Sequence, residues 1–187
     1  MPFTVTHVAA AIPLAWLSRW RLPLSALVIG TMVPDLSGYY PALLDYHATH
    51  SVIGVITRCM PIGVMLYYVY QAFLKQPFFD LMPAAVTSRM RPWIDLSIKL
   101  TPSAILAVAA CVASAAMTHV VWDAFTHAGG WGVAIYPELS VIAFRDATRR
   151  PIRWFGVIQH TSSLLLIPMI FGFLIWLRTL PRYDDHD

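Results

Sequence analysis

Three apolar runs, residues 52–74, 103–125 and 156–177, set the tightest limit on what this chain can fold into. A helix crosses the hydrocarbon core of a bilayer in about 20 mostly apolar residues, and each run is that long. At that depth no water is present to satisfy backbone N–H and C=O groups, so such segments must be helical. Composition agrees: 58% of the residues are hydrophobic, 12% are charged and the mean hydropathy is +0.61, whereas a soluble domain carries about 25% charged residues. The expected fold is all-α, a polytopic membrane helical bundle. It has the three long transmembrane helices plus an N-terminal pair of shorter helices, residues 5–17 and 24–33, joined by SRWRLP into a hairpin.

The small-residue run AVAACVASAA in the second long segment favours close helix packing and marks it as the central helix. Residues 76–102, with four prolines, are expected to be a polar or interfacial connection. Residues 128–155 are expected to be a loop with a short amphipathic piece. The 187 residues make one integral membrane domain, 1–187, with 178–187 as a disordered tail. The start, MPFTVTH, lacks the basic region of a cleavable signal, so the first apolar segment is expected to stay. Cys59 and Cys111 lie inside apolar runs and read as small hydrophobes. A formal charge of +3 and a pI near 9.0 come from short basic clusters between apolar segments, not from a stripe. Nucleic acid is therefore not an expected partner, and membrane lipid is.

Within this apolar background the stretch AAMTHVVWDAFTHAGG carries His119, Asp123 and His127 at four-residue intervals. On a helix that spacing stacks all three on one face. Antiparallel spans bring further polar residues to the same end: Asp35 after the second short segment, His47 and His50 before the first long one, and His160 near the start of the last. His7 joins them if the N-terminal segments form a hairpin. A carboxylate at membrane depth is costly unless paired or functional. A divalent cation offsets that cost, and mixed histidine and carboxylate ligands suit zinc, with manganese or iron as further options. His7, Asp35, His50, His119, Asp123, His127 and His160 are therefore the candidate metal ligands. Each also has a plainer reading as a pair, a helix-end contact or a cap, and what favours metal is their convergence at one face.

Arg19, Arg21, Lys75, Arg89, Arg91, Lys99, Arg178 and Arg182 lie at the opposite ends, which makes that side cytoplasmic by the positive-inside rule and turns the polar cluster outward. Arg145, Arg149, Arg150 and Arg153 lie on the cluster side, against that rule. They are candidate substrate-binding residues for an anionic head group, or a basic loop attracted to anionic lipid.

The ordered elements THVAAA, IGTMVPD, THS, THVVWDAFTHAGGW and QHTSS resemble a family of bacterial membrane proteins described as metal-dependent hydrolases. The order of a histidine near the N-terminus, P-D, a histidine and H-x-x-x-D is more distantly similar to zinc-dependent phospholipase C. The resemblance implies a bacterial inner-membrane protein, in which the outward face set by the positive-inside rule is the periplasmic side. It also implies that Asp35, His50, His119 and Asp123 surround one metal, with Asp123 bridging toward a second near His7. The third metal of those enzymes needs a glutamate four residues after the later histidine, and position 164 here is leucine, so one or two ions are expected. Those enzymes also use a processed N-terminal amino group, which would require removal of Met1.

The expected activity is metal-dependent hydrolysis of a phosphoester or lipid-linked substrate, with Asp35 and Asp123 as catalytic residues. Metal would lower the pKa of bound water, and Asp35 would act as ligand or general base. Alternatives are a transporter or sensor, a haem subunit and a structural or assembly protein. Apolar span midpoints speak against transport, and Asp123 beside His119 has no role in haem ligation.

Overall fold

A computed structural model describes residues 4–19, 22–95 and 99–183. Met1, whose removal an N-terminal amino ligand would require, Arg21 and residues 184–187 of the expected tail lie outside these residues. The chain is mostly helical: α1 (Thr4–Leu17), α2 (Leu24–Met32), α3 (Tyr46–Thr49), α4 (Val52–Asp80), α5 (Ala84–Ile94), α6 (Pro102–Thr126), α7 (Trp131–Ile135), strands β1 (Ile142–Arg145) and β2 (Pro151–Arg153), and α8 (Trp154–Thr179). Among the described residues α4, α6 and α8 are long and apolar enough to cross a bilayer.

Prolines shape these helices. A proline removes an N–H and collides with the carbonyl four residues back. Pro61 acts on Thr57 and Pro77 on Phe73, and α4 has π turns at Val55–Cys59 and Tyr70–Leu74, where those carbonyls fall. Pro168 acts on Leu164, and α8 is interrupted between Ser163 and Leu166. Inside α5, Pro92 frees the carbonyl of Ser88, which accepts the N–H of Tyr183 at 2.8 Å.

Two connections differ from expectation. Residues 76–102 include the end of α4 and all of α5, because the prolines there sit where helices tolerate or bend around them. Residues 128–155 hold α7 and an antiparallel hairpin, with Phe144 opposite Ile152 and an irregularity between Ile142 and Phe144. The last helix reaches Thr179, and the Tyr183 N–H meets α5 at the Ser88 carbonyl.

α6 is the central helix. Its buried residues Val108, Cys111, Val112, Ala115, Ala116, His119, Val120 and Asp123 follow the three- and four-residue spacing of a single stripe. One end packs with Ala11 and Ala15 of α1 and Ala26 and Leu27 of α2, the next layer with Val33, Val55 and Cys59. Gly30 allows α2 to approach closely, since a Cβ there would lie 2.7 Å from the Val112 carbonyl oxygen and 2.8 Å from Ala115 Cβ. From His119 onward the stripe gains ionisable groups, His119 and Asp123.

Candidate metal centre

Five segments bring the polar residues together. His7 lies on the opening 3-10 turn of α1, Thr4–Ala10. Asp35 ends the 3-10 turn Val33–Asp35 that extends α2, with Pro34 as its second residue. His50 follows α3, whose N-cap Asp45 accepts the Ala48 N–H at 2.8 Å. Gly54 lets that turn rest on the start of α4, because a Cβ there would overlap the Ala48 carbonyl. His119 and Asp123 continue the buried stripe of α6, and His127 is its C-cap.

The ligand atoms of Asp35, His50, His119 and Asp123 all lie within 4.8 Å of one another. His119 Nε2 stands 3.4 Å from Asp35 Oδ1 and 3.3 Å from Asp123 Oδ2, and His50 Nε2 stands 3.7 and 3.4 Å from the same two oxygens. Ligands about 2.0–2.2 Å from a tetrahedral ion are about 3.3–3.6 Å apart, so three of these four separations fall on the edges of such a site and the fourth, at 3.7 Å, lies just beyond them. The four side chains are at most 6% exposed, which leaves the two carboxylates without bulk water to stabilise their charge.

Hydrogen bonds fix how the imidazoles are presented. His119 Nδ1 lies 2.6 Å from the Thr31 carbonyl, and His50 Nδ1 lies 3.1 Å from the Tyr46 carbonyl. A carbonyl can only accept, so His119 Nδ1 donates and its neutral ring turns the Nε2 lone pair toward the carboxylates; His50 Nδ1, which also lies 3.0 Å from the Thr49 hydroxyl, does the same when it donates to the Tyr46 carbonyl. Lone pair then faces lone pair unless a cation or a proton lies between them. The Nε2 atoms of His7, His50 and His119 and Asp123 Oδ1 are buried and make no hydrogen bond, the condition expected of atoms that serve a metal. Burial alone would raise the Asp35 carboxyl, but the His119 and His50 rings beside it and the Thr4 hydroxyl outweigh burial and hold the group below the usual carboxylate range. Burial pulls His50 down, but Asp123 and Asp35 outweigh it and raise its pKa above that of free histidine.

Asp123 also faces a second direction. Its Oδ1 is 3.6 Å from His7 Nε2 and 3.5 Å from His127 Nδ1, and the His7 ring stacks on His119 with centroids 3.7 Å apart. His127 is further engaged through Nε2, which stands 2.9 Å from Gln159 Nε2.

The remaining expected residues lie elsewhere. His160 is exposed, and its neighbour Gln159 is the buried residue that reaches the centre from α8. Adjacent helix residues point about 100° apart, so only one of the pair can face α6. His47 is also exposed. Arg145, Arg149, Arg150 and Arg153 are exposed on the hairpin, and none of their described hydrogen bonds reaches the centre.

The sequence reading missed the groups that hold the ligands. Thr4 Oγ1 donates to Asp35 Oδ2 at 2.6 Å, Tyr46 stacks on His50 at 3.9 Å, and Gln159 bonds His127. Only Thr4 carried a signal, since it precedes His7 by one 3-10 turn.

Comparison with curated proteins and with solved structures gives no match to this chain. Comparison with family models does: the model described as a domain of unknown function, DUF4184, matches residues 1–186. The chain, from its N-terminal helices through its ligand helix α6 to its last helix, therefore belongs to the DUF4184 family.

Proposed function

We propose that this protein is a multi-pass membrane metallohydrolase that cleaves a phosphoester, on a lipid or another lipid-linked substrate, at the bilayer surface. The observation that carries the reading is the pair of lone-pair-bearing imidazoles set against two buried carboxylates at the spacing of tetrahedral ligand edges. Zinc is the proposed ion, with manganese or iron able to use the same donors. When bound, such an ion supplies Lewis acidity and an activated water.

The chain's own residues have separable tasks in this scheme. Asp35, His50, His119 and Asp123 hold the ion, while Thr31, Tyr46 and Thr4 orient them. Four protein ligands alone describe a closed, structural site. Asp123 Oδ1, between His7 and His127, offers a second position beside it where another ion or the reacting group is received. A cavity of about 230 Å³ shares His7 with this position and is lined further by Thr6, Ala10, Thr118, Trp122, Ser162 and Leu165, a largely apolar set that suits a substrate with a hydrocarbon portion. A purely structural metal is the second reading, favoured by the completeness of the four-ligand set.

The test is elemental analysis of detergent-purified protein beside the His119→Ala, Asp123→Ala double variant, followed by a screen of phospholipids and soluble phosphodiesters. Near-stoichiometric metal lost in the variant, with turnover that follows metal content, supports the hydrolase. Metal without turnover supports the structural reading. Two metal-free proteins after reconstitution with zinc, manganese and iron would sink both.

A further inference from the structure

The β1–β2 hairpin carries four arginines that the centre does not use. Arg145, Arg149, Arg150 and Arg153 are all exposed. Their described hydrogen bonds go to neutral carbonyls, Arg145 to that of Arg149 and Arg153 to that of Ser140, so these contacts leave the positive charge uncompensated. Asp146 lies in the turn between the strands, but its Oδ1 already accepts from the Thr148 N–H at 2.8 Å, the Thr148 hydroxyl at 2.7 Å and the Arg150 N–H at 2.9 Å. It shapes the turn, in which Arg149 has a left-handed φ of 62°. The other nearby acid is Glu138, exposed on the 3-10 turn before β1.

The same hairpin displays apolar side chains. Ile142 and Phe144 on β1 and Trp154 just after β2 are 43%, 55% and 48% exposed. A two-stranded hairpin is marginal in water without an apolar surface to pack on. Chain continuity says which surface is at hand, because Arg153 ends β2 and Trp154 begins the apolar helix α8. The hairpin is thus tied to the end of a span, at the level where aromatic rings settle and where basic residues meet lipid phosphates.

We propose that the hairpin is a bilayer-surface anchor for anionic lipid, with Ile142, Phe144 and Trp154 seated among the upper acyl chains and the four arginines on headgroup phosphates. This rests on the membrane-spanning reading of the chain and is independent of hydrolysis. It gives the arginines a partner other than the substrate of the centre.

The experiment uses the full chain in nanodiscs of phosphatidylcholine alone or mixed in equal parts with phosphatidylglycerol, read by hydrogen–deuterium exchange. Residues 142–153 are expected to exchange severalfold more slowly in the mixed discs. Replacing all four arginines by glutamine should abolish the difference, whereas replacing them by lysine should preserve it, and high salt should shrink it. Equal exchange in both discs, a lysine variant that behaves as the glutamine one, or a glutamine variant that keeps the difference would overturn the proposal. A glutamine variant already fast in phosphatidylcholine would do so too, since the arginines would then be holding the hairpin internally. Residues 166–179 of α8 report insertion separately: slow exchange there in every disc leaves a failure to the hairpin alone, and fast exchange overturns the membrane reading and the anchor with it.

Discussion

α6 and α8 are 25 and 26 residues long and both apolar enough to span a bilayer, yet 39% of the most apolar window of α6 is buried inside the protein and only 6% of that of α8. The difference comes from residue size and spacing. α6 presents Ala115, Ala116 and Cys111 on one stripe, and small side chains let α2 and α4 approach its backbone. α8 carries Phe171, Ile175 and Leu174 outward, exposed by 62%, 65% and 46%. Apolarity alone assigns both helices to the same solvent, whereas spacing assigns one of them to the core. The candidate metal centre sits on the buried helix because a rigid, water-poor stripe can hold ionisable groups in fixed register.

The largest test of that contrast is Asp123→Ala. We expect metal content to fall from near-stoichiometric to background, because Asp123 faces four histidines in two directions. Stability should fall with it, by about 3–5 kcal/mol, as for other broken buried ionic groups. Elemental analysis and thermal unfolding in detergent measure the two. Full metal retention would show that Asp123 is a packing partner and no ligand.

Next in size is Gly30→Leu against Phe171→Ala. Overpacking α2 onto α6 should cost about 1–3 kcal/mol or more, which lowers the unfolding midpoint by about 2–4 °C per kcal/mol. Trimming the exposed α8 ring should stay within about 0.5 kcal/mol. Similar midpoints for the two variants would break the distinction drawn between the helices.

A smaller effect is expected at the one place where α8 touches the centre. Gln159→Ala removes the partner of His127 Nε2 and should cost about 1 kcal/mol, read as severalfold faster loss of metal to a chelator. His160→Ala should be silent. A reversed order would mean that the helix face has been assigned one residue out of register.

The pH dependence sharpens the same point. A metal needs the imidazole lone pairs, so protons compete with it. His50 is raised above the free-histidine value by Asp123 and Asp35, so its proton is gained as pH falls through that raised value. Apparent metal affinity should be full on the alkaline side and fall progressively on acidification, as measured by chelator competition across pH. Affinity independent of pH would exclude histidine ligation.

The hydrophobic runs were legible as helices because each had the length and composition that a bilayer requires, and α6 was legible as central from its alanines. His119 and Asp123 were legible as a pair from helical spacing alone. The helix α5 and the β hairpin were not: their prolines, Pro92 and Pro151, mark turns wherever they fall, and only neighbouring elements decide whether a helix bends or ends. Gln159 over His160 was equally hidden, since both are polar and adjacent.

By itself, then, the sequence determined three spanning-length helices, a central small-residue helix and an ionisable cluster at one end, because these follow from local composition and a fixed helical period. Only the tertiary structure decided that Asp35, His50, His119 and Asp123 share one set of ligand distances while His7 and His127 take the far side of Asp123. Those relations join residues up to 116 positions apart in the chain, as for His7 and Asp123. They depend on how closely α2 and the α3 turn settle against α6, which Gly30 and Gly54 permit and no local period encodes.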